Sequence, residues 1–343
     1  MKILRPINSN ASENTKELLR YLQLLSASKF AACGAFNFIN KKEDGCYNNY
    51  ECITEQYGAP LLFSTYYPFV EGSDGHFNFT EANEQIIDNY KNGAIILMHN
   101  QNEWADEICR KICGEDGDKT DFLINFDEEN PDKNIEAYNF YLNCRKSWAD
   151  GLEALKKAGV CVMYRPFVEM NNPYFFGSYT DSEKGISSFK RIWKQLADYL
   201  FKDRGLDNVL LTFSPSAASN DGRSDLYYPG DDLVDVIAPT TYSMPWVERN
   251  TPEGFYEKAW HYSRHSGLSH DKPFGFAELG VDLGQDENAA DYGKGDWKKL
   301  VDVKEKCPRM GFFCLWVEDN GLVSKTSINA SEFINKKSWI KLS

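Results

Sequence analysis

The sequence predicts an α/β fold, a (β/α)8 TIM barrel forming a single catalytic domain over residues 1–343. Three observations carry this. Eight short apolar runs alternate with stretches of helical periodicity. The runs are near-continuously apolar, the mark of parallel strands buried on both faces. No linker rich in Pro, Gly or Ser, no low-complexity tract and no repeat beyond the βα rhythm divides the chain. Eight such units in one chain imply closure into a barrel, and barrels of 343 residues routinely form one domain.

The elements follow in order. Ser12–Ser26 is an amphipathic helix with Leu18, Leu19, Leu22 and Leu25 on one side. Lys29–Phe38 is the first strand, and its small residues Ala31, Ala32, Gly34 and Ala35 suit a crowded barrel interior. Pro60–Tyr67 is the second strand, Glu81–Lys91 a helix, and Ala94–Asn100 the third strand. A long segment with acidic loops at Glu115–Asp121 and Asp127–Lys133 follows; connections of that length are usually functional or mobile. Ala137–Ala158 reads as a helix stopped by Gly159, and Val160–Glu169 as the fourth strand. Then come a helix at Ser182–Phe201, the fifth strand at Asn208–Ser214 and the sixth at Asp235–Ser243. A helix at Pro252–Ser263, the seventh strand at Lys272–Gly280, a helix at Lys298–Lys306, the eighth strand at Gly311–Glu318 and a closing helix near Ser331–Ile340 complete the pattern.

Composition excludes several classes of function. A formal charge of −13, with no clustering of Lys and Arg, is unlike a nucleic-acid surface and compatible with a neutral polymer. No apolar run is long enough to span a bilayer, so no membrane partner is expected. The first residues lack a signal-peptide pattern, which suggests a cytoplasmic protein or the mature form of a secreted one. Nine cysteines, with Cys33, Cys161 and Cys314 inside apolar strands, do not make a disulfide framework. Cys109 and Cys113 have no second ligand pair nearby, and the five histidines are scattered, so neither metal nor cofactor is expected. The GxSxG elbow, the P-loop, HExxH and Gly-rich dinucleotide fingerprints are absent.

In a barrel, catalytic groups come from the C-terminal ends of strands. Two strands end in glutamate: Cys161–Gly177, CVMYRPFVEMNNPYFFG, delivers Glu169, and Lys272–Gly280, KPFGFAELG, delivers Glu278. Alternation places Met163, Arg165, Phe167 and Glu169 on one face, Phe274, Phe276 and Glu278 on another, and likewise Ala238, Thr240 and Tyr242, and Phe312, Cys314 and Trp316. A buried arginine needs a carboxylate, and a catalytic glutamate is the one available to Arg165. Retaining glycosidases use two carboxyls about 5–5.5 Å apart, one as acid/base and one as nucleophile. The acid must keep its proton near neutrality, which suits Glu169 among aromatics. The nucleophile must stay ionised, which suits Glu278 helped by Arg165 and the hydroxyl of Tyr242.

Other positions carry two readings each. His99 is a sugar contact or a capped loop residue. Trp316 is a stacking platform or core. Tyr174, with Phe175 and Phe176, walls a subsite or packs its own loop. Trp104 and Trp246, in βα loops of the catalytic face, contact sugar or do not. Asn171, two residues after Glu169, belongs with Arg165 and Glu169 among the residues expected to serve the substrate.

The stretch Ala137–Gly177 resembles glycoside hydrolase family 26, whose hallmark is a helix feeding a strand that ends RPxHEMNG, followed by aromatics. Arg191–Pro215, Tyr227–Ser243 and the AELG around Glu278 extend the resemblance over most of the chain. The family is known for β-1,4-mannanases and belongs to a clan of barrels with glutamates on strands four and seven. The resemblance implies Glu169 as acid/base and Glu278 as nucleophile, with Arg165 and Tyr242 holding the nucleophile. It also implies that His99, Tyr174 and Trp316 line the subsites around the cleaved bond.

The sequence departs from that pattern around one subsite. Val168 stands where the family has His, Asn172 where it has Gly, Tyr174 where it has Trp, and strand six reads APTTYS where an aspartate is usual. The expectation is therefore a monomeric, retaining endo-β-glycosidase acting on a polysaccharide or oligosaccharide, with β-1,4-mannan first. A β-1,3-xylanase or mixed-linkage β-glucanase of the same family, or a non-hydrolytic carbohydrate-binding barrel, are the alternatives.

Overall fold

The computed structural model describes residues 3–37, 49–175, 177–216, 224–243, 272–281, 295–315 and 327–342. The barrel strands are β1 (Ala31–Phe36), β2 (Leu62–Tyr67), β3 (Ile95–Asn100), β4 (Val162–Arg165), β5 (Val209–Phe213), β6 (Val236–Ile237), β7 (Thr240–Ser243), β8 (Phe274–Val281) and, after a short β9 (Gly295–Asp296), β10 (Met310–Leu315). Each pairs in parallel with its neighbour, and β10 pairs with both β8 and β1, which closes the ring. β6 and β7 together form the sixth stave, interrupted at Pro239, which has no N–H for the ladder.

Two apolar layers result. Helix α1 (Glu13–Ala27) stands apart, and the outer layer lies between the strands and helices such as α2 (Asn49–Tyr57), α3 (Thr80–Lys91), α4 (Glu103–Cys113), α5 (Ile135–Lys157) and α6 (Glu183–Asp198), where it buries Trp148 and Trp193. The inner one contains Ala32, Leu62, Leu97, Met163, Leu210, Val236, Ala238, Ala277, Phe312 and Cys314. Gly34 is needed on the inner wall, because a Cβ there would lie 2.6 Å from the Leu62 side chain.

Leu19, Leu22 and Leu25 of α1 join this inner layer. Ser12 caps the helix by accepting from Thr15 N–H, and its own N–H donates to Asp207 just before β5 at 2.8 Å. At the other end Ser26 exchanges hydrogen bonds with the backbone of Phe274 at the start of β8. α1 thus lies across the N-terminal ends of the strands and forms the barrel floor.

Several expectations are corrected. The acidic connection between β3 and β4 is anchored: Asp121 accepts from Thr180 and Ser182, and buried Asp127 pairs with Arg191 at 2.6 Å. The expected closing helix stops early, at Ala330–Ile334, and Trp339–Ile340 instead pairs with β1 as a strand. The helix at Pro252–Ser263 lies outside the described residues. Phe167 does not share the inner face with Arg165, because Pro166 ends the strand and the ring packs outward against Trp148, Phe189 and Trp193. Phe274 and Phe276 also face the outer layer, while Ala277 faces inward.

Candidate active site

Glu278 reaches the barrel mouth through a bulge. Phe313 and Leu315 of β10 pair with Phe276 and Leu279 of β8, so β8 carries one extra residue in that interval. The insertion breaks the two-residue period, and Ala277 and Glu278 both escape the outward face. Glu278 Oε1 accepts from Arg165 Nη2 at 2.7 Å. Arg165 ends β4 on the inward side, two residues after Met163, and its Nε donates to Ser214 Oγ at 2.9 Å. The guanidinium is fully buried, and its charge is met by the carboxylate it was expected to hold.

Glu169 reaches the mouth by another route. After Pro166 the chain touches β5's extension once more, where Val168 bridges Ser214 and Glu169 N–H donates to Ser214 O at 2.8 Å. Glu169 then adopts φ +52°, a left-handed conformation that non-glycine residues rarely take, and its carbonyl accepts from Asn172 N–H at 2.8 Å. This turn aims the side chain inward after Phe167 has broken the strand alternation.

The carboxylate of Glu169 has a donor on each oxygen. Thr240 Oγ1 donates to Oε1, and Asn172 Nδ2 donates to Oε2 at 2.8 Å. Thr240 also pairs with Glu278 across β7 and β8, so one residue lies against both glutamates. Burial pushes the Glu169 pKa up, and the charge of Glu278 adds to this; the hydrogen bonds from Thr240 and Asn172 and the charge of Arg165 oppose it. The arrangement therefore favours a carboxyl that keeps its proton beside one that is ion-paired.

His99, at the end of β3, is buried, with its ring 5.7 Å from Phe36 and 5.9 Å from Tyr66. Desolvation and the charge of Arg165 lower its pKa well below the ordinary value, so the imidazole is neutral. Tyr174 is 78% exposed and meets Phe175 edge-on. Asn171 is fully buried: its amide donates to Ser216 O at 2.9 Å and accepts from Ser216 N–H at 2.7 Å, tying the loop after β4 to that after β5.

The expected sugar contact at Trp104 is corrected. The ring is 2% exposed, packed against Phe126, Tyr141 and Trp148 in the outer layer, because α4 turns it inward under the loop. Tyr242 lies in β7, next to Gly280 in the pairing, and its side chain is outside the described structure. Trp246 and Trp316 lie outside the described residues.

Sequence reasoning passed over three contributors: Ser214, Asn172 as a donor, and Thr240 as the link between the glutamates. Thr240 alone had a signal, its parity with inward-facing Ala238. The loop bearing Glu169 is tied to α4 as well, since Asp106 accepts from Gly177 N–H at 2.6 Å. A Cβ at Gly177 would lie 2.3 Å from the Ala105 backbone, which explains glycine there. Among the described residues no group of three or more His, Cys, Asp or Glu is placed to hold a metal ion.

Comparison with known proteins fits this geometry. The model of glycosyl hydrolase family 26 matches residues 7–262. A mannan endo-1,4-beta-mannosidase of Bacillus subtilis is 31% identical over 197 residues, 56% of this chain and 48% of that protein. The mannan endo-1,4-beta-mannosidase A and B of Caldalkalibacillus mannanilyticus is 31% identical over 173 residues, 49% of this chain and 30% of that protein. The matches thus span less than half the length of these relatives. In fold, the Bacillus subtilis mannanase man26 superposes with a TM-score of 0.72 at 20% identity, covering 98% of this chain and 95% of the other. The β-mannanase of a protist symbiont of the termite Reticulitermes speratus gives 0.63 at 18% identity over 96% and 97%. With the family model matched over most of its length, the chain belongs to glycosyl hydrolase family 26.

Proposed function

We propose that this protein is a retaining endo-β-glycosidase that cleaves β-1,4-mannan by double displacement, with Glu278 as nucleophile and Glu169 as acid/base. The observation that carries the reading is the asymmetry of the two carboxyls. Glu278 is ion-paired to buried Arg165, and Glu169 is desolvated beside it with its pKa raised. A nucleophile must be ionised and an acid must hold a proton, and the surroundings separate the two roles in that sense. Glu278 attacks the anomeric carbon while Glu169 protonates the departing glycosidic oxygen; Glu169 then takes a proton from water as that water displaces Glu278. His99, Tyr66 and Tyr174 are the side chains proposed to meet sugar, with Tyr242, Trp246 and Trp316 proposed from the sequence alone. Mannan is named because the curated relatives are mannan endo-1,4-beta-mannosidases.

The test is hydrolysis of galactomannan, β-1,3-xylan and lichenan, with proton NMR of the first product. Retained configuration on galactomannan is expected. Preferred cleavage of β-1,3-xylan or lichenan would replace the substrate, an inverted product would remove the mechanism, and wild-type activity in Glu278→Ala would remove the assignment.

A further inference from the structure

The geometry points to Asn172 as a positioning residue that decides which oxygen of Glu169 carries the catalytic proton. The inference rests on the acid/base role of Glu169 and goes beyond it, since that role does not say which oxygen is the donor.

The orientation of the Asn172 amide is set by its neighbours. Oδ1 accepts from Tyr174 N–H at 3.1 Å, so Nδ2 faces Glu169 and donates to Oε2 at 2.8 Å. An amide N–H donates and cannot accept. A proton on Oε2 pointing at Asn172 would set O–H against N–H, and one pointing elsewhere would leave Nδ2 only a weaker, neutral acceptor, so Oε2 is the less favourable site for it. Oε1 has a different partner. The Thr240 hydroxyl donates to the ionised carboxylate and, by rotating, accepts from a protonated one. Oε1 is thus the oxygen that gains and loses the proton, and Oε2 stays an acceptor through the cycle. In the first step the Oε1–H turns from Thr240 to the glycosidic oxygen, the O–H bond breaks as the proton transfers, and the Thr240 hydroxyl rotates back to donate to the electron pair left on Oε1. In the second step Oε1 takes a proton from the attacking water.

The other groups bearing on Glu169 among the described residues are Glu278 on β8 and Arg165 on β4. Both act on its total charge. Among the described residues, Asn172 and Thr240 are the ones that touch individual oxygens. Asn172 stands where the family pattern has glycine, so the sequence shows this donor as a departure of this chain.

The experiment follows the carboxyl directly. The full-length protein labelled with [13C]carboxyl-glutamate is titrated by NMR, the Glu169 signal being identified by its loss in Glu169→Gln. Asn172→Ala removes a donor to the ionised form, so the Glu169 midpoint should rise by about one pH unit. Asn172→Asp, which sets a second carboxylate beside the first, should raise it further. The turn's backbone bonds, Asn172 N–H to Glu169 O and Phe175 N–H to Asn172 O, do not need the side chain, and Asn172→Gly is the second variant should alanine disturb folding. An unmoved midpoint in the alanine or glycine variant overturns the proposal. Neutron diffraction of deuterated wild-type crystals below the Glu169 midpoint should place deuterium on Oε1, and deuterium on Oε2 overturns it equally. If the wild type hydrolyses no β-glycan, the glycosidase reading falls while the titration still decides the role of Asn172.

Discussion

Arg165 and Glu278 form a buried ion pair, 2.7 Å from Nη2 to Oε1, with side chains 0% and 7% exposed. Such a pair adds little net stability over an apolar pair of the same shape, but breaking it leaves a buried charge unmatched. Arg165→Met is therefore expected to destabilise the fold by ~3–5 kcal/mol, read as a lower urea midpoint. Adding Glu278→Gln should recover a large part of that loss, since it removes the orphaned charge. Equal midpoints for the single and double variants would show that the arginine acts through packing alone.

Glu169 holds a left-handed backbone and a half-buried carboxyl next to another. Both features serve the site at the expense of the fold. Asparagine tolerates this conformation better and carries no charge. Glu169→Asn should raise thermal stability by ~1 kcal/mol while abolishing polysaccharide hydrolysis. A lowered melting temperature would mean that the bonds from Thr240 and Asn172 outweigh the strain.

The floor gives the opposite expectation. Leu22 is fully buried in the inner layer. Leu22→Ala should cost ~2–5 kcal/mol through lost burial and a residual cavity. Because α1 lies at the end of the barrel away from the glutamates, kcat of the folded fraction should stay within about twofold, a change small on the scale of 1.4 kcal/mol per decade. A tenfold loss would show that the floor sets the geometry of the mouth.

Asp106 supplies a pH dependence of stability. Burial raises its pKa to about 6, against opposing effects from the Gly177 N–H and Arg110. Between its unfolded value near 3.8 and about 6 the native state holds more protons than the unfolded chain, so this group's contribution falls as pH rises through that window. Asn at this position keeps an acceptor for Gly177 N–H without a charge. Asp106→Asn should match the wild type near pH 4 and melt higher at pH 7. Parallel melting curves across that range would remove Asp106 from the account.

Much of this was legible in the sequence because burial on both faces writes strands as apolar runs. The inward parity of Met163 and Arg165, and of Ala238 and Thr240, also follows from spacing alone. Legibility stopped where the period broke. Pro166 turned Phe167 outward, and a bulge in β8 after Phe276 put Glu278 out of phase with outward-facing Phe274 and Phe276. Glu169 and Glu278 were thus selected by the right position with incomplete reasons: one arrives through a left-handed residue, the other through an inserted one. Trp104 was misplaced because an aromatic in a βα loop reads the same whether its helix buries it or presents it. What had no pattern to announce it was the partner of each donor: Thr240 reaches Glu169 across 71 residues of chain, and Asn172 reaches it through a turn.

The floor helix also bears on the order of events during synthesis. α1 leaves the ribosome well before β8 and β10, on which it packs, and β1 likewise pairs with the much later β10. An early helix with Leu19, Leu22 and Leu25 on one side must wait for those strands with its apolar face uncovered. The ring closes only through such distant pairings, which are slow to form and prone to association meanwhile. The nascent chain is thus exposed to aggregation while α1 lacks the strands that will rest on it.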